Sequence, residues 1–96
     1  MKFSFHPDAD AEFDQAVAYY EARQSGLGLE FADEVLVTIA RILDHPKAGS
    51  PFSKNTWQGL TKRFPYGIIY QIHEGRVRII AVAHLSRRPG YWENRV

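Results

Sequence analysis

Residues 67–85 read Gly-Ile-Ile-Tyr-Gln-Ile-His-Glu-Gly-Arg-Val-Arg-Ile-Ile-Ala-Val-Ala-His-Leu. Two runs rich in β-branched residues flank a single Glu-Gly pair. The pattern predicts strands over Gly67 to His73 and Arg76 to Leu85, joined by a two-residue turn at Glu74-Gly75. That turn sets a register in which His73 faces Arg76, Gln71 faces Arg78 and Ile69 faces Ile80. Val82 and His84 extend this mixed face. Ile68, Tyr70, Ile72, Val77, Ile79, Ala81, Ala83 and Leu85 make the other face, which is apolar throughout. A slip of one residue would mix the two sets, so the register is a firm expectation. The apolar face is expected to pack on helices and the mixed face to stay partly open.

Upstream, Lys2-Phe3-Ser4-Phe5-His6 alternates and reads as a short strand. Pro7 suits the first turn of a helix, where its missing N–H costs nothing. Asp8, Asp10 and Glu12 put negative charge at the positive end of that helix. Phe13, Ala16, Val17 and Tyr20 form its apolar stripe. Gly26 and Gly28 break it, and a second helix is expected over Leu29 to Leu43, closed by Pro46. Residues 46–56 have the composition of a loop. Trp57 to Arg63 is expected to be a strand. The order is β-α-α-β-β-β, an α+β domain with a helical hairpin packed on one face of a mostly antiparallel sheet.

The 96 residues make one domain over 1–96, with 45% hydrophobic content and no cysteine. Disulfides and thiolate metal sites are excluded, and a reducing cytoplasm is the natural setting. No apolar run approaches a membrane span. The four histidines (6, 45, 73 and 84) lack metal-ligand spacing, and no cofactor motif is present. The net charge of +1 hides a polarity. Residues 1–50 carry four Lys/Arg against nine Asp/Glu, a net −5; residues 51–96 carry eight against two, a net +6. That asymmetry suits an anionic partner, although helices that place acids on their wet faces would produce it too.

The chemistry-bearing stretch is His84-Leu85-Ser86-Arg87-Arg88-Pro89-Gly90-Tyr91-Trp92. Arginine grips phosphate or carboxylate with paired donors, aromatics stack on bases, and histidine moves protons near neutral pH. Together they could cleave RNA without a metal. The plainer alternative is a basic tail whose rings staple it to the domain. Lys62-Arg63-Phe64-Pro65-Tyr66 is a second basic-aromatic group, expected to lie beside the first if the strand ends pair.

An ordered set of residues resembles the RelE/ParE superfamily of toxins from bacterial type II toxin–antitoxin systems. The set is His6-Pro7-x-Ala9-x-x-Glu12, Tyr19-Tyr20, Gly26-Leu27-Gly28, Phe31, Arg63-Phe64-Pro65-Tyr66, Ile69-Tyr70, Ala83-His84 and Arg87-Arg88-Pro89-x-Tyr91-Trp92. The resemblance implies a growth-inhibiting toxin of the kind that serves plasmid stabilisation, bound by an antitoxin encoded beside it in a hetero-oligomer. The RelE branch cuts messenger RNA on the ribosome. On that reading Arg63, His84, Arg87 and Tyr91 would be catalytic. The paired lysines of that branch have only Lys54 and Lys62 as poor stand-ins. The ParE branch poisons DNA gyrase by binding, and the helical hairpin with its Gly-Leu-Gly turn is closer to it. A third possibility is an inactive relative that only binds antitoxin. Phe31, Val35, Leu36, Ile39, Arg78, Arg88 and Trp92 are the expected antitoxin-binding residues.

Overall fold

A computed structural model describes residues 2–52 and 55–96. The chain runs β1 (Lys2–Phe5), α1 (Pro7–Arg23), α2 (Leu27–Asp44), β2 (Ser50–Pro51), β3 (Thr56–Leu60), β4 (Tyr66–His73) and β5 (Arg76–His84). A short 3-10 turn follows at Glu93–Arg95. The five strands form one sheet in the order β1-β5-β4-β3-β2. β1 lies parallel to β5, and every other pairing is antiparallel. Two helices packed on a mostly antiparallel sheet are the α+β architecture that the sequence predicts. β2 is the addition: two residues of the expected loop pair with Trp57 and Gln58. Lys54 lies outside the described residues.

Local chemistry sets the helix ends. The His6 side chain accepts a hydrogen bond from Asp8 N–H at 3.0 Å, capping α1 one residue ahead of Pro7. The hairpin turn is held from α1. The Glu21 carboxylate accepts from Gly26 N–H at 2.8 Å and from Gly28 N–H at 3.0 Å. α2 therefore begins at Leu27 rather than Leu29, since the second glycine is already helical and buried. A Cβ at Gly28 would stand 2.5 Å from the Val17 carbonyl oxygen, so only glycine lets the helices approach this closely.

Between helices and sheet lies the main core. Phe31, Val35 and Ile39 of α2 meet Ile68, Tyr70, Val77, Ile79 and Val82. Rings surround Phe31: Tyr66 at 4.8 Å, Tyr20 and Phe64 at 5.2 Å and Phe13 at 6.3 Å between centroids.

The β4–β5 register follows expectation from the turn as far as Tyr70↔Ile79, then slips by one at a bulge. Past it, Ile69 faces Ala81 and Tyr66 faces His84. The extra residue reverses which side of β5 each following side chain takes. Val82 turns into the helical core, while Ile80, Ala81 and Ala83 join Ile69 on the far side. This corrects the expectation that Ala81 and Ala83 face the helices and that Val82 lies on the open face. The far side is not open here either, because Trp92 covers it at 2% exposure.

Candidate functional site

The tail that follows β5 is folded onto the domain. Leu85 N–H donates to Pro65 C=O at 2.8 Å, and Arg87 N–H to His84 C=O at 3.0 Å. The chain then doubles back so that Trp92 seats against Ile69, Ile80, Ala81 and Ala83, with Phe52 edge-on at 5.4 Å.

Glu12 of α1 fastens this tail. β1 ends opposite Ile79, and among the described residues no strand pairs with β5 beyond it on that side. Side chains take the exposed backbone groups. Glu12 Oε1 accepts from Val82 N–H at 3.0 Å, and Arg95 Nη1 donates to Ile80 C=O at 3.1 Å. Arg95 also grips Glu12 with both terminal nitrogens, at 2.9 and 3.0 Å, while the Tyr91 hydroxyl donates to Glu12 Oε2 at 2.7 Å. Asp8 adds a longer contact to Arg95 at 3.6 Å. Burial raises the Tyr91 hydroxyl pKa well above its usual 10.0. Its hydrogen bond to Glu12 and the Glu12 charge push the same way, against the weaker pull of Arg87 and Arg95.

Between the tail and the start of β4 lies a cleft of about 230 Å³. Ile69, Ala83 and Trp92 line its apolar part; Arg87 and Arg88 contribute its cationic part, and His84 lies beside them. The Arg87 guanidinium lies 3.9 Å from the Tyr91 ring centroid. His84 Nδ1 is 3.0 Å from Ser86 N–H, which donates to it, and 2.7 Å from Ser86 Oγ. The His84 ring stands edge-on to Tyr66 at 5.1 Å.

His84, Arg87, Arg88, Tyr91 and Trp92 therefore share one cleft, as the sequence suggests. Arg63 does not join them: it pairs with Glu30 of α2 and does not line the cleft. β3 ends at Leu60, so Arg63 lies in the turn before β4, with a φ of 70°. Among the expected antitoxin contacts, Leu36, Arg78 and Arg88 are exposed. Phe31, Val35 and Ile39 are buried in the main core, so the partner-facing role expected of them is corrected to a structural one; Trp92 is buried as well but lines the cleft. Sequence reasoning missed Arg95 and the clasp made by Glu12. One signal was present: Glu12 sits three residues after Ala9 and four before Ala16, both buried, so it borders the packed side of α1.

Residues 3–89 match the family model described as the ParE toxin of the type II toxin–antitoxin system, parDE. The chain belongs to the ParE toxin family. The fold agrees with a solved chain from the chromosomal ParDE toxin–antitoxin system of P. aeruginosa. The TM-score is 0.75 at 12% identity, covering 90% of this chain and 97% of that one. No curated protein matches the sequence. Membership selects the ParE side of the two branches that the sequence resembles. Among the described residues, no helix is long and apolar enough to cross a membrane, and no three His, Cys, Asp or Glu gather as metal ligands do.

Proposed function

We propose that this ParE-family toxin inhibits growth in the cytoplasm by binding DNA gyrase, and that a cognate antitoxin neutralises it. One observation carries the choice of binding over RNA cleavage: the Tyr91 hydroxyl is committed to Glu12 and its pKa is raised. A proton-transfer residue works best with a pKa near the operating pH and a free path to the substrate. Tyr91 has neither. Arg63, held by Glu30, is likewise absent from the group. What the tail offers is a cationic rim, a surface suited to recognition.

Antitoxin docking is assigned to the outer side of α2, where Leu29, Leu36 and Val37 form an exposed apolar strip, with Arg78 of β5 and Arg88 of the tail as polar contacts away from it. An amphipathic partner helix would cover such a strip.

A supercoiling assay tests the target. Purified gyrase converting relaxed plasmid should slow or accumulate cleaved DNA as toxin is added, and added antitoxin should restore it. Unchanged supercoiling at high toxin, together with new 5′ ends on translated messages after induction, would replace this reading with ribonuclease action.

A further inference from the structure

We propose that the cleft beside Trp92 receives one large apolar side chain carried on an acidic segment of the antitoxin. The inference rests on the antitoxin reading above and adds a site and a chemistry to it. At about 230 Å³ the cleft falls below the roughly 300–1,000 Å³ of pockets that enclose a whole small ligand. It has room for an anchoring residue. Ile69, Ala83 and Trp92 supply an apolar seat, and Phe52 and Leu85, both partly exposed, flank it. A buried anchor ringed by polar contacts is how protein partners concentrate binding energy.

Charge chooses between partner classes. Among the described residues, no carboxylate pairs with Arg87 or Arg88 at the rim. They stand in the half of the chain with net charge +6. An anionic segment is therefore favoured. A nucleobase would need its hydrogen-bonding edge read. Besides the arginines and the committed Tyr91, the lining offers side-chain polar groups from Gln58, His84 and the Trp92 indole N–H, a donor only. His84 Nδ1 already accepts from Ser86 N–H. An apolar side chain asks nothing of these groups, so an acidic peptide fits better than RNA.

The test is an NMR titration of the whole chain with the capped peptide Glu-Asp-Phe-Asp-Glu. Three probes accompany it: the same peptide with Ala for Phe, one with Lys for every acid, and pentauridylate. The Phe peptide should shift the Trp92 indole and the Gly67, Ala83 and Arg88 amides. Loss of the ring should weaken binding about tenfold, the scale of one well-buried apolar anchor. Arg88→Glu, a surface change, should weaken it several-fold, and added salt should do the same. Equal binding by the Ala peptide, or shifts confined to other surfaces, would overturn the proposal, as would pentauridylate occupying the cleft in the peptide's stead. In the complex purified with antitoxin the same signals must move; an intact complex that leaves them unchanged excludes this occupant. Gyrase takes no part in the titration, so a failed target assay leaves this result standing on its own.

Discussion

Glu12 gathers Val82, Tyr91 and Arg95 on one carboxylate, and the consequences are electrostatic. A half-buried tyrosine facing that carboxylate resists ionisation. Its folded pKa lies above its unfolded value, so its contribution to stability is complete below about pH 10 and is lost as pH rises through the folded value. Urea midpoints should therefore fall more steeply above about pH 10 in the wild type than in Tyr91→Phe. Some slope will persist in the variant, because burial also raises Tyr20, Tyr66 and Tyr70. Parallel curves for the two proteins would remove Tyr91 from this role. The sequence displays Glu12 as one of several acids at a helix start, where a dipole argument accounts for all of them alike. Only the flanking buried alanines set it apart, and they do not say which residue it meets.

Among the elements, the helical hairpin and the β4–β5 hairpin differ in how openly the sequence declares them. Gly26-Leu27-Gly28 marks the first, and the structure gives the reason: Glu21 caps the turn while Gly28 lets α2 touch the Val17 carbonyl. Gly28→Ala should cost about 1–3 kcal/mol, the range for forcing an extra methyl into a packed contact, read as a lowered urea midpoint with unchanged m. A neutral result would mean that the helices separate at no expense. The second hairpin is legible at its turn, where Glu74 and Gly75 take the positive φ values of 50° and 73° that a tight hairpin requires. Its far end is not. Ile79-Ile80-Ala81-Val82-Ala83 contains no polar residue to mark which side faces water, so a bulge inside it leaves no trace in the pattern. Everything placed by parity beyond Tyr70 inherits that ambiguity, including the faces of Val82 and Ala83.

For the molecule as a whole, element order and the α+β class follow from local periodicity, and periodicity survives in sequence. The docked tail does not, because Glu12 and Arg95 stand 83 residues apart and share no repeat. Their pair is mostly shielded, with 14% and 11% of the side chains exposed. Breaking such a pair strands a charge, so Glu12→Ala and Arg95→Ala should each lower stability by on the order of 2 kcal/mol. The double variant should cost distinctly less than their sum. Strict additivity in that cycle would mean that the two residues act independently. β1 lies against β5 in the same way, an early segment completed only by a late one. During translation the ribosome must release nearly all of this chain before the clasp can shut. A nascent chain therefore spends most of its synthesis with its tail undocked and the Glu12 carboxylate still in water.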